Sequence, residues 1–302
     1  MIGDRPLLVV SLPAQSVVDA RREIEWARDG GADLAEVRFD RWTAEEQARV
    51  SGLFPSTLPL VATFRSRAEG GDAPDDPVAR ERVIGRLAQL PFAYLDLEWA
   101  RDRRLESPTR SAGPRVIRSS HLGEGTPSDT IVQLLESGAP ADGILKVVVV
   151  ATVAEAIQHL LPLAERGTTP RAVLLTTGPS GPLFRAWARR LRLPWVYASL
   201  PEQPGRPYAP PVEPTQIPVD RLQPYLAVED APMFALLGHP VTHSRSPAIH
   251  HRWMARQGRV GLYTVLDVGS AEEFQLALQE LPRRGVRGVN VTHPWKGLAF
   301  RC

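Results

Sequence analysis

The sequence predicts an α/β protein in two parts, a (β/α)8-type unit over residues 1–228 and a smaller, incomplete βαβαβ lobe over residues 229–302. Three observations predict it. Eight short apolar, β-branched segments recur before residue 200 with helical patterns between them. Six prolines at 201, 204, 207, 210, 211 and 214 then interrupt the alternation, as an extended linker or a lid does. After Glu229-Asp230 the alternation resumes for three more strands. An open doubly wound sheet gives the same alternation as a closed barrel, so spacing alone leaves both open.

The elements follow in order. Residues 7–12 form the first strand, and Val17, Ala20, Ile24 and Ala27 lie on one face of the helix after it, which Gly30-Gly31 stops. Strands are expected at 34–40, 58–64, 93–98, 115–119, 144–149, 172–176 and 195–199, with helices at 44–50, 78–90, 128–135, 152–165 and 182–191. The polar gap 101–110 holds only Leu105 and allows a short helix. A closing helix is expected at 218–226, with Pro218 at its start. The lobe reads as strand 233–237, helix 247–257, strand 262–268, helix 271–281 and strand 288–291; a lobe this small is an uncomfortable domain by itself.

Composition narrows the function. The hydrophobic share of 43% and charged share of 23% are those of a chain that folds. The net charge of +2, with no basic run interleaved with aromatics, leaves no electrostatic footprint for a nucleic acid. Cys302 is the single cysteine, which excludes an intrachain disulfide and a cysteine-based zinc site and suits a reducing, cytoplasmic setting. The start lacks the apolar core of a signal peptide, and 147–154 is too short to cross a bilayer, so no membrane partner is expected. Oligomeric state is left open, a homodimer included.

Of the 36 basic residues only two are lysines, Lys146 and Lys296. Coding bias accounts for the many arginines but not for where the two lysines remain. A guanidinium stays charged, whereas a buried amine can lose its proton and attack a carbonyl. Lys146 sits inside Ile144-Leu145-Lys146-Val147-Val148-Val149, where burial should lower its pKa. Alternation puts Glu36, Arg38 and Asp40 on one face of the second strand, a face that needs partners or a polar ligand if it points into a barrel. Arg65 and Glu69 follow the third strand, and His121 follows the strand at 115–119, all at C-terminal ends. Gly178-Pro179-Ser180-Gly181 precedes a helix whose Arg185 offers a fork for a carboxylate.

These residues resemble a known family. Ser11, Glu36-x-Arg38, Arg65-x-x-x-Glu69, His121, Lys146, Gly178-x-x-Gly181-x-x-x-Arg185 and Gln216 follow the order and approximate spacing of the type I 3-dehydroquinate dehydratases, over residues 7–226. The resemblance implies a TIM barrel and a hydro-lyase of the shikimate pathway, needing no cofactor and no metal. Lys146 would form an imine with the C3 ketone of 3-dehydroquinate, and His121, oriented by Glu69, would take the C2 proton and return it to the departing C1 hydroxyl. Glu36, Arg38 and Arg65 would hold ring hydroxyls, Ser11 would line the site, Arg185 would bind the carboxylate, and Gln216 would belong to a closing lid. Val212 stands where the family usually has Ser, Pro214-Thr215 where Pro-Gly is common, and Phe184 where Ser precedes the helix Arg.

The lobe has its own resemblance. The run from Phe234 through Ser244, Ser246 and Pro247, and Asn290-Val-Thr292-His-Pro-Trp-Lys296, look like the substrate-binding lobe of shikimate dehydrogenase. In that family the two serines and the Thr bind shikimate, and the Lys is catalytic. The partner Asp, the NADP domain and a Gly-x-Gly-x-x-Gly/Ala motif are not in the 302 residues, so hydride transfer is not expected of them. The rival readings are a Schiff-base aldolase, a catalytically silent metabolite sensor, and a shikimate dehydrogenase fragment inactive without its NADP domain.

Overall fold

A computed structural model describes residues 5–105, 113–166, 171–202 and 210–301. Part of the expected helix at 101–110, the prolines at 204 and 207, and Cys302 lie outside the described residues. Eight strands, β1 (Leu7–Leu12), β2 (Leu34–Arg38), β3 (Leu60–Thr63), β4 (Tyr94–Glu98), β5 (Arg115–Leu122), β6 (Ile144–Val150), β7 (Ala172–Thr177) and β8 (Trp195–Ala198), form one sheet. Its order is β7-β6-β5-β4-β3-β2-β1-β8, and every ladder is parallel. Helices in the connections cover the outside, and the sheet curls until β7 and β8 meet. The fold is a nearly closed TIM-like barrel, which settles the choice that spacing left open.

Local chemistry places the elements. Ser16 caps the helix Val17–Asp29 by accepting from the Asp19 amide at 3.1 Å. Asp76 does the same for the helix Pro77–Leu87, and Thr152 forms a capping box with Glu155. The helical run that starts at Val153 widens into a π turn over Ala156–Leu160, next to Pro162, which has no amide hydrogen to give the preceding turn. Strands β2 and β6 are buried on both faces over most of their length, as barrel strands between core and helices must be.

The seam between β7 and β8 has no ladder, so carbonyls there need other donors. The helix Gly181–Ala186 supplies one through Arg185. Its Nε donates to the Tyr197 carbonyl of β8 at 3.1 Å, and its Nη1 to the Thr176 carbonyl of β7 at 3.1 Å and the Gly181 carbonyl at 2.8 Å. One guanidinium thus stitches the edges of the barrel together.

Three expected elements differ. Residues 101–105 are turn rather than helix. Strand β5 runs on to Leu122, so His121 lies in the strand and not after it. Strand β2 ends at Arg38, and Asp40 sits in a short 3-10 turn, Phe39–Arg41, because Arg38 draws its carboxylate back into a two-pronged ion pair.

The second sheet holds β9 (Met233–Gly238), β10 (Leu262–Asp267) and β11 (Val286–Val291) in the parallel order β10-β9-β11. Helices Ser246–Arg256 and Ala271–Arg283 connect its strands. It docks on the barrel through an apolar cluster continuous with the barrel core, to which its Leu262, Leu266, Phe274 and Leu281 belong, and through polar contacts. Glu273 accepts from the Ala154 amide at 3.1 Å, Arg284 pairs with Glu165 at 3.0 Å, and Arg190 donates to the Arg284 carbonyl at 2.8 Å. Among the described residues no helix is long and apolar enough to cross a membrane.

Candidate active site

The barrel mouth is lined by charge, and the strand registers show why. Ser11 is level with Glu36, and Ser119 with both Glu98 and Lys146, so alternation sends these side chains to one interior. Glu36 is held on both oxygens: Ser11 Oγ donates to Oε2 at 2.6 Å and Thr63 Oγ1 to Oε1 at 2.9 Å. Gln216 reaches down from the loop after β8 and donates to Ser11 Oγ at 3.1 Å. Arg38 grips Asp40 at 2.9 and 2.7 Å, both side chains almost wholly buried. Despite the cost of burial, the paired guanidinium and backbone amides hold the Asp40 carboxyl below its ordinary range.

Lys146 is 2% exposed, its apolar neighbours facing the helices and core while the amine faces the chamber. Its Nζ is ion-paired with Asp96, whose other oxygen accepts from Ser119 Oγ. Tyr197 lays its ring 5.1 Å from the same nitrogen. Burial and the nearby Glu36 and Asp96 push the Tyr197 phenol well above its ordinary value, so it stays a neutral hydroxyl. That hydroxyl and Gln216 Oε1 are buried without a hydrogen-bond partner among the described residues.

His121 and Glu69 form the second pair. His121 Nδ1 lies 2.7 Å from Glu69 Oε2, which also accepts from the His121 amide at 3.1 Å, so imidazole and main chain are fixed by one oxygen. Burial and the cations Arg65, Lys146 and Arg38 hold His121 well below 6.5, keeping the ring neutral. Burial, helped by Glu98 and Asp96, lifts Glu69 to about 8, although Arg65 and the His121 amide oppose it. In the tautomer with Nδ1 as the donor to Glu69, Nε2 is the nitrogen left with a lone pair able to accept a proton.

Sequence reasoning missed Asp96 and Glu98. They alternate with Leu95 and Leu97 in β4, the same pattern that singled out Glu36 and Arg38 in β2. Glu98 accepts from the Ser66 amide at 2.7 Å, and Arg80 lies 3.5 Å from it while clasping Asp102 at 2.8 and 2.6 Å. Because Asp96 and Lys146 are both buried, Asp96→Ala leaves an ammonium unpaired in the interior. The expected loss is about 3–5 kcal/mol of stability, measured by urea unfolding; a loss under about 1 kcal/mol would mean that other groups take up the charge.

Arg185 is where the structure departs furthest from expectation. Besides its seam carbonyls it pairs with Glu213 through Nη2 at 2.8 Å, so its fork meets a carboxylate of the chain itself. The Gly178–Ser180 turn does not present an open anion site: Ser180 Oγ bonds the Ala151 carbonyl, and a Cβ on Gly181 would stand 2.0 Å from Thr215 Oγ1. Glycine is needed at 181 to let the loop approach.

The lobe residues gather at the C-terminal ends of its strands. Ser244 Oγ accepts from the Ser246 amide at 3.2 Å, and the Tyr263 hydroxyl donates to Asn290 at 2.8 Å. Thr292, just past β11, packs its methyl against Gly238, and Lys296 opens the short helix Lys296–Ala299 with its side chain exposed. No hydrogen bond joins Thr292 or Lys296 to the serine pair among the described residues. Nor do these residues hold a group of three or more His, Cys, Asp or Glu side chains suited to a metal ion.

Residues 8–231 match the family described as type I 3-dehydroquinase, and residues 236–302 match the shikimate dehydrogenase substrate binding domain. The chloroplastic bifunctional 3-dehydroquinate dehydratase/shikimate dehydrogenase of Arabidopsis thaliana is 24% identical over all of this chain, which spans 50% of that relative's length. A 3-dehydroquinate dehydratase of Thermococcus gammatolerans is 31% identical over 70% of this chain and 95% of its own. The crystal structure of 3-dehydroquinate dehydratase from Geobacillus kaustophilus superposes with a TM-score of 0.62 at 24% identity, over 74% of this chain and 90% of that one.

Proposed function

The chain belongs to the type I 3-dehydroquinase family, and from that premise we propose that it dehydrates 3-dehydroquinate to 3-dehydroshikimate through an imine on Lys146. Asp96 takes a proton from the ammonium, and Nζ attacks the C3 ketone. Water leaves and a protonated imine forms. The imine withdraws electrons from the C2–H bond, and His121 Nε2 removes that proton. The enamine expels the C1 hydroxyl, which leaves as water with the proton carried by His121. Hydrolysis of the imine releases product and restores the amine.

The observation that carries this reading is the pairing, in one buried chamber, of an amine held by Asp96 with an imidazole kept neutral beside Glu69. Elimination next to an imine requires both groups at once. Glu36, Arg38 and Arg65 present the charges suited to ring hydroxyls, and the unpartnered Tyr197 hydroxyl and Gln216 Oε1 suit the same polyhydroxylated ring. Arg185 is the cation for its carboxylate. The test is absorbance: 3-dehydroquinate added to the chain should produce the conjugated enone of 3-dehydroshikimate. Binding without absorbance would favour a silent sensor, and cleavage of aldol substrates an aldolase.

The neutral state of His121 sets the pH dependence. A depressed imidazole pKa keeps the base available on the acid side, so the acid limb of kcat/KM is expected below pH 6.5. A pH–rate profile with that limb at or above 6.5 would contradict the assignment of His121 as the base.

We further assign residues 1–228 to the dehydratase barrel and 229–302 to a shikimate-binding lobe that uses Ser244, Ser246, Thr292 and Lys296. The Ser244–Ser246 and Tyr263–Asn290 contacts at the C-terminal ends of the lobe's strands support this reading. A small-molecule substrate and a cytoplasmic setting complete the reading, with oligomeric state left open, a homodimer included.

A further inference from the structure

Glu213 lies on the loop between β8 and the helix Val219–Ala227, three residues before Gln216. Its Oε2 accepts from Arg185 Nη2 at 2.8 Å, and its Oε1 accepts from the Thr215 amide at 3.1 Å and from Thr215 Oγ1 at 2.8 Å. Thr215 Oγ1 also lies 3.3 Å from Arg185 Nη1 and rests over Gly181. Arg185 is 3% exposed and Glu213 23%, so the arginine is fixed in the wall while the carboxylate approaches from the loop side. Nε and Nη1 are committed to the β8 and β7 carbonyls and to Gly181, with Nη1 also touching Thr215 Oγ1, which leaves Nη2 as the nitrogen that meets the loop's carboxylate. An incoming carboxylate therefore meets a carboxylate already seated.

We propose that Glu213 is a specificity-determining residue: a built-in counter-carboxylate that occupies Arg185 and yields only to a ligand bringing a carboxylate of its own. The proposal rests on the reading that Arg185 receives the substrate's carboxylate. Two carboxylates cannot share one Nη2 edge without like-charge repulsion, so binding is an exchange of one anion for another. The exchange has two consequences. The apparent affinity for the acid is lower than an open arginine would give, because each binding event must first release Glu213. A neutral analogue cannot effect the release and gains nothing from Arg185. Since Glu213, Thr215 and Gln216 share one loop, the exchange also moves the residue that reaches Ser11.

Calorimetry on the full chain and its Glu213→Gln variant, with 3-dehydroshikimate and with its methyl ester, separates these consequences, alongside steady-state turnover of 3-dehydroquinate. Removing the competing charge should tighten the acid's Kd and lower KM about five- to tenfold, the modest end for a partly exposed charge-assisted bond, while the ester's Kd stays unchanged. An acid Kd that is unchanged or weaker in the variant overturns the proposal, as does a parallel shift of acid and ester, which would make Glu213 a general brace of the loop. A wild-type chain that fails to turn over 3-dehydroquinate refutes the proposed function instead, and the acid-to-ester comparison still reads Glu213 by itself.

Discussion

Replacing Lys146 with Ala is expected to reduce turnover of 3-dehydroquinate by about ten-thousand-fold or more, a loss typical of removing a covalent nucleophile. No other group in the chamber can replace it. The carboxylates around it cannot form an imine, and a guanidinium such as that of Arg38 is not an amine nucleophile. Lys146→Arg keeps the positive charge opposite Asp96 and so separates chemistry from folding: it should be as inactive as the alanine variant while avoiding the unpaired Asp96 that alanine leaves. Rates within tenfold of wild type in the arginine variant would remove the covalent step from the mechanism.

The second large effect belongs to His121. Its replacement by Ala should lower kcat about 10²- to 10⁴-fold, the usual contribution of a general acid–base group. The imine should still form, because attack on the ketone uses Lys146 and Asp96 rather than the imidazole. Single-turnover experiments should find substrate attached to the protein but no enone absorbance. A variant that neither attaches substrate nor eliminates water would mean that His121 also acts in imine formation. Glu69 touches the ring at Nδ1 and the main chain of the same residue, so in the proposed mechanism its part is to position the imidazole.

The sequence made the strand and helix alternation legible because many strands are compact apolar runs and several helices carry their own caps, as Ser16, Asp76 and Thr152 illustrate. Polar alternation exposed Glu36 and Arg38, and the scarcity of lysine exposed Lys146. Asp96 carries the same alternation signal in β4, yet its importance appears only once β4, β5 and β6 lie side by side and bring it to Ser119 and Lys146. Arg185 was harder still. Its bonds to Thr176 and Tyr197 span the barrel seam, and its bond to Glu213 spans a further loop, so no local spacing encodes either. Closure of the barrel is itself such a property, since it depends on where the two edge strands end up and not on any one of them.

The lysine count also makes the central claim easy to test. The chain has two lysines, on the barrel and on the lobe, so a covalent adduct can be assigned to one or the other by peptide mapping. Borohydride added during turnover of 3-dehydroquinate would reduce the imine to a stable secondary amine. Mass spectrometry should then find one substrate-derived adduct on the peptide containing Lys146, with activity lost in proportion to labelling. An adduct on Lys296 alone, or continued turnover with no adduct at all, would contradict the account.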